Sequence, residues 1–331
     1  MQPFNEIRNA LMSFSPGRVL LDRTLYPRYG LAIVRIGYGL AVMAALLPDA
    51  TRITRVFGTS RSYLPLSDGV DSPGDATILF LWTACIVAAV TLVLGLFTRL
   101  STLILLLTYR SLVNYNDFIT DGGDNLLAIA LIYLVFANTS EVWSVDARIR
   151  HRLPLSLTNA RWYRPIANGA WLLMVMQVCV IYIVAGLSKV QGTTWLGGEG
   201  VTLSMTSIDF LVHAWLNDIV LGMGGVATIL SIVTVFVQIY FPFLIFNKWF
   251  KIPTLVLMIM FHAAIGVFMG LTSFALAMIA SEMIFVPDRL MQRILPGKAR
   301  QEAQVRIPVP VSTEKVSRIS QSEGVEQNAI A

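Results

Sequence analysis

An all-α fold, a polytopic membrane helical bundle of about eight transmembrane helices, is expected from three observations. Of the 331 residues, 55% are hydrophobic and only 14% charged, with a mean hydropathy of +0.66, more apolar than a soluble core requires. The apolar residues are gathered into long runs: Pro165 to Ser188 is 24 residues without Asp, Glu, Lys or Arg. At about 1.5 Å of rise per residue, such a run crosses a hydrocarbon layer about 30 Å thick. Finally, the basic residues collect in the loops and tails between the runs.

Three segments follow in order. Residues 1–28 carry Arg8, Arg18, Arg23 and Arg28 and read as a cytoplasmic or interfacial segment, with no apolar stretch long enough for a signal peptide. Residues 29–287 hold the membrane domain. Its first span runs from about Tyr29 to Leu47, closed by Pro48, with Arg35 inside it. A loop with Tyr63-Leu64-Pro65 and Ser72-Pro73-Gly74 leads to spans at about 76–97 and 100–115, a tight hairpin broken only at Thr98 and Arg99. The fourth span, about 121–137, opens with Asp121-Gly122-Gly123-Asp124-Asn125. The remaining four are expected at about 167–189, 219–246, 253–270 and 271–287, the last two meeting at Gly270. Residues 288–331 turn polar and read as a disordered cytoplasmic tail.

Charge sets the expected orientation. With the N-terminus inside, 19 of the 25 Lys and Arg residues fall on the inner side, three on the outer, and Arg35, Arg110 and Lys189 within spans. The positive-inside rule then puts both termini in the cytoplasm, of a multi-pass protein in the cell membrane. The net charge of +5 is spread over loops, not gathered in a stripe, so no nucleic-acid partner is expected. Cys85 and Cys179 both lie in apolar runs, which leaves neither a zinc site nor a disulfide framework. No metal is expected, and no phosphate-binding glycine loop or serine triad is visible.

The chemistry-bearing residues are few. Lys189 ends the fifth span, and from Val190 to Asn217 no other Lys or Arg follows. That isolation makes it a poor topology anchor and a candidate site residue, while the alternative is an ammonium that snorkels to the interface. A lysine acts as a base only when its amine is neutral, a state that desolvation favours. The orientation puts Asp124, Asn125, Arg110 and Lys189 near the outer face, where Asp124, Lys189 and Arg110 are expected to converge in a polar pocket. An Arg110–Asp124 pair would leave the amine unpaired. Asp124 equally serves as a helix cap. His262, about nine residues into the seventh span, suits a proton relay or polar-ligand contact, or equally an interhelical packing bond. Arg35 reads as structural, paired with Asn, Glu or carbonyl groups, and Glu282 lies toward the inner end of the eighth span.

Several stretches in order resemble the HTTM (horizontally transferred transmembrane) family, which includes vitamin K-dependent gamma-carboxylase: Ala185-Gly186-Leu187-Ser188-Lys189 followed by Trp195, Trp143-Ser144-Val145-Asp146, and Phe261-His262 with Met269 to Phe274. The resemblance covers about residues 29–287. It implies a membrane enzyme linked to a lipid quinone or hydroquinone. By that resemblance Lys189 would be the catalytic base; with the residues read above, Asp124 and His262 are the further catalytic candidates, and Arg110, Asn125 and Trp195 the ligand-binding ones. Two departures stand against full carry-over: the carboxylase has a histidine where Asp124 falls, and its large non-cytoplasmic domain is replaced here by a short tail. Gamma-carboxylation of a protein is therefore not expected. The Asp121 to Asn125 opening is also similar to SdpB-like proteins, which implies an alternative role as a non-catalytic factor maturing a small secreted peptide. Membrane lipid is the remaining expected partner.

Overall fold

The computed structural model describes residues 24–58, 73–115, 122–149, 162–207 and 214–294. Among them every regular element is helical, as expected. One compact unit extends to Asp288 and a second begins at Arg289. The architecture below is that of the first. The expectations for residues 1–23, for Tyr63-Leu64-Pro65 and Ser72, for Asp121 and for the tail beyond Ile294 lie outside the described residues.

In chain order the long helices are α1 (Arg28–Leu46), α3 (Asp75–Leu94), α4 (Thr98–Asn114), α5 (Gly122–Phe136), α7 (Tyr163–Val190), α11 (Gly224–Phe246), α12 (Lys251–Phe268) and α13 (Thr272–Glu282). Short helices fill the connections: α2 (Ile53–Phe57), α6 (Val145–Ile149), α8 (Thr193–Leu196), α9 (Gly200–Thr206) and α10 (Ala214–Leu221), while α14 (Asp288–Ile294) follows α13. Of these, α1, α3, α7, α11 and α12 are long and apolar enough to cross a membrane, and α5 and α13 are shorter apolar helices. The protein is a multi-pass integral membrane protein. The sixth expected span is divided: α10 stops at Leu221, Gly222 and Met223 form a turn, and α11 begins afresh at Gly224.

The bundle is apolar outside. Phe80, Phe243, Met260 and Leu107 are exposed at 60–73%, an arrangement suited to lipid and not to water. Its polar groups turn inward. Arg35 is fully enclosed and donates to the carbonyls of Leu92 (2.6 Å), Val93 (2.8 Å) and Trp143 (2.7 Å). It therefore ties α1 to the end of α3 and to the 140–144 loop. These are the carbonyl partners expected for it. Helix α1 is the most enclosed of the five long apolar helices, lying against α3 and α13.

The hairpin between α3 and α4 shows how local sequence sets this frame. Gly95 takes φ +69, and its N–H and that of Leu96 return to the carbonyls of Leu92 and Thr91, closing α3 with a left-handed cap. A Cβ at Gly95 would meet Arg35 Nη1 at 2.5 Å and Ser144 Cβ at 2.4 Å. Asp146 then caps α4, accepting from the N–H groups of Phe97 and Thr98 and from the Thr98 hydroxyl at 2.7–2.8 Å. The Trp143-Ser144-Val145-Asp146 stretch is thus a clamp that fixes α3, α4 and Arg35 together. Beside this clamp, where Tyr29 packs on Trp143 with ring centres 5.3 Å apart, Asp288 accepts from the N–H groups of Arg28 and Tyr29 and caps α1. Nearby, Glu141 joins Arg28 (2.9 Å) and Tyr26 (2.5 Å), where burial first and the Glu141 charge second push the Tyr26 phenol above its usual range.

Candidate functional site

Helix α7 carries the residues of interest on one side. Tyr182, Gly186 and Lys189 are spaced four and three residues apart and so share a face. Gly186 is needed there because α11 comes close: a Cβ would lie 2.9 Å from the Ile239 backbone nitrogen and 3.2 Å from Gln238 Cβ. Within α11, Pro242 lacks the N–H that would otherwise bond the Gln238 carbonyl.

Lys189 is half-buried at the end of α7. Its Nζ donates to the Ala185 carbonyl at 3.3 Å and stands 5.1 Å from the centre of the Trp195 ring, which α8 holds over it. Among the described residues no carboxylate pairs with the amine. Val190 and Leu196, next in the chain to Lys189 and Trp195, are exposed apolar side chains. The amine, at the end of an apolar helix, therefore combines a carbonyl and an indole face.

Asp124 and Arg110 do not join it. Asp124, in the first turn of α5, accepts a hydrogen bond from the Tyr109 hydroxyl of α4. Both line a cavity of about 340 Å³ with Asp49, Phe57, Val113 and residues 270–273. Arg110 and Asn125 are exposed and do not line it. The register explains the separation. Tyr163 of α7 bonds the Phe136 carbonyl and Gln177 bonds that of Leu126, so α5 and α7 run antiparallel, with the start of α5 beside the middle of α7. Lys189 lies a further twelve residues along, about 18 Å of helix. The expected convergence of Arg110, Asp124 and Lys189 is therefore replaced by two places, an acidic cavity and an isolated amine.

His262 stands in a third. It is 2% exposed on α12, Tyr182 of α7 is 1% exposed, and Glu282 of α13 is fully enclosed. The Tyr182 hydroxyl donates to Glu282 Oε1 and lies 3.3 Å from His262 Nε2, which is itself 3.9 Å from Glu282 Oε1. Phe241 stacks on Tyr182 with ring centres 4.1 Å apart, and Phe261 and Phe274 flank the imidazole at 5.1 and 5.7 Å. Beside the cluster the Tyr38 hydroxyl meets Ser281 Oγ at 2.7 Å. Among the described residues neither Lys nor Arg pairs with Glu282. Such a group inside an apolar bundle is costly, which makes it a functional candidate. Sequence reading placed His262 and Glu282 apart and passed over Tyr182. The available signal was that Glu282 is the lone carboxylate of its span and that Tyr182 shares a helical face with Lys189.

The family model for the HTTM domain matches residues 27–289. No solved structure matches the chain.

Proposed function

We propose a function from the premise that this chain belongs to the HTTM family: it is a membrane enzyme that uses the Lys189 amine as a base toward a quinone-class substrate drawn from the bilayer. The observation that carries this is the amine's surroundings, a carbonyl and an indole with no carboxylate partner among the described residues. A carboxylate would hold the amine as ammonium, whereas a half-buried place at the end of an apolar span favours the neutral form and lies within reach of a substrate that partitions into lipid. In the step itself the amine nitrogen takes the proton of a hydroquinone hydroxyl: an O–H bond breaks, an N–H bond forms, and a hydroquinone anion and an ammonium result. Trp195 would lie against that ammonium and stabilise it through its ring face.

Lys189→Arg tests the reading, because guanidinium stays protonated at any working pH. Complementation of a deletion strain, with membrane abundance measured on the same samples, is expected to fail for Lys189→Arg at normal abundance. Mass spectrometry of lipid extracts from the purified protein should find a co-purifying quinone. An active, normally abundant Lys189→Arg variant overturns the reading.

The cavity at Asp124 favours a second reading, an SdpB-like factor that handles a small secreted peptide without catalysis. Among the described residues its lining holds the carboxylates Asp49 and Asp124 and neither Lys nor Arg, which suits a cationic group of a peptide chain. Under that reading Asp124→Asn abolishes complementation while Lys189→Arg does not, and a small secreted precursor is encoded beside the gene.

A further inference from the structure

The Tyr182, His262 and Glu282 cluster has a property that a packing brace does not need: both of its ends are open. His262 Nδ1 and Glu282 Oε2 are buried and have no hydrogen-bond partner among the described residues, although buried polar atoms are almost always satisfied. Between those ends the groups run in single file, from carboxyl through hydroxyl to imidazole. The neighbouring side chains on α11, α12 and α13 are Phe241, Phe261 and Phe274, and the nearby Tyr38–Ser281 pair is neutral. No cation among the described residues pairs with the carboxyl.

We propose that Glu282, Tyr182 and His262 form an intramembrane proton relay, with Glu282 Oε2 and His262 Nδ1 as its two terminals. The chain of groups has two neutral arrangements. In the first, Glu282 carries its proton on Oε2, the Tyr182 hydroxyl donates to Glu282 Oε1, and His262 donates from Nε2 to the Tyr182 oxygen. In the second, Glu282 Oε1 donates to Tyr182, Tyr182 donates to His262 Nε2, and the proton sits on His262 Nδ1. Passage from the first to the second takes up one proton at Nδ1 and releases one at Oε2. The protons between shift by one hydrogen bond each, so no charge or atom is left over. A neutral set also avoids the large cost of an unpaired carboxylate inside the bundle. Each open terminal has the chemistry to meet a bridging water. Tyr182, the middle of this file, lies on the same face of α7 as Lys189, seven residues and about 10 Å of helix away. Gln238, whose side-chain carbonyl is likewise buried without a partner among the described residues, packs against Gly186 between them.

Infrared spectroscopy of the full-length protein in phosphatidylethanolamine and phosphatidylglycerol vesicles tests this without a substrate. The wild type is expected to show the carbonyl stretch of a protonated carboxyl that shifts on transfer to deuterium oxide and is missing in Glu282→Gln. Labelling glutamate with carbon-13 moves the same band, so its assignment does not hang on one variant. Tyr182→Phe keeps the ring and removes the middle of the file, and should slow the deuterium shift by about tenfold or more. His262→Gln, which cannot pass a proton by tautomer exchange, should slow it similarly. Lys189→Arg should leave both band and exchange unchanged, so that failure of the relay and failure of the lysine base register in different measurements. Absence of a Glu282-dependent band, or equal exchange rates in the wild type, Tyr182→Phe and His262→Gln, overturns the proposal and leaves a structural brace.

Discussion

Arg35 and Lys189 are both cations within spans, and the bundle treats them in opposite ways. Arg35 is fully enclosed, with three carbonyl bonds to its guanidinium. Its planar fork can reach Leu92, Val93 and Trp143 together, which an ammonium on a shorter donor array cannot. Arg35→Lys should therefore lose at least one charge-assisted bond, worth about 1.5–3 kcal/mol. Lower thermal stability in detergent and reduced membrane abundance are the expected readouts, and an unchanged melting temperature would show that the carbonyls find other donors. Lys189 instead keeps a single long bond to its own helix and an indole contact. The spacing of charge already distinguished the two: Arg35 falls inside its run and Lys189 at the end of its own. That Trp195 would be the ring beside Lys189 depended on α8, a single turn with no long-range sequence signal.

The connection between α3 and α4 repays attention among the elements, because two residues there do work that no helix pattern announces. Asp146, forty-eight residues from Thr98, caps α4 across the loop. Asp146→Ala should cost about 1–2 kcal/mol, the usual loss of an N-cap with its extra hydroxyl bond. Gly95→Ala should cost more, since the left-handed φ and the closeness of Arg35 and Ser144 both oppose a methyl group. Thermal unfolding of the purified variants in one detergent measures both. A Gly95→Ala protein as stable as Asp146→Ala would mean that the Arg35 guanidinium moves aside freely. The hairpin was legible from Thr98 and Arg99 between two apolar runs. Its clamp was not, because a capping carboxylate far along the chain looks like any other loop aspartate. In α10 and α11 the failure is of a different kind: hydropathy stays high across 219–246, and only the glycines mark where the helix stops.

For the molecule as a whole, orientation is the outstanding expectation, and it rests on charge. With both termini inside, Thr194→Cys should react with a membrane-impermeant thiol reagent on intact cells, while Ser317→Cys should react only after permeabilisation. Background is low because Cys85 and Cys179 are buried within the bundle. Labelling of Ser317→Cys on intact cells would reverse the topology.

The helical class, the membrane location and most helix bounds were readable from amino-acid order, because in lipid each span must satisfy its own backbone and so carries a contiguous apolar run. Expected spans at about 76–97, 100–115 and 121–137 differ from α3, α4 and α5 by three residues or fewer at each end. The family resemblance was readable as well, since Lys189 and His262 stand within such runs and Trp195 and the Trp143 to Asp146 stretch between them. The grouping of polar residues was not. Depth along a span can be counted from sequence, but the face a residue presents and the neighbour it meets depend on how helices rotate and slide against each other. The antiparallel register of α5 on α7 carries Asp124 away from Lys189, and the packing of α7, α12 and α13 brings Tyr182, His262 and Glu282 together. Those contacts join residues as far as 100 positions apart, and they arise because a buried polar side chain takes whichever partner the packed helices place within reach.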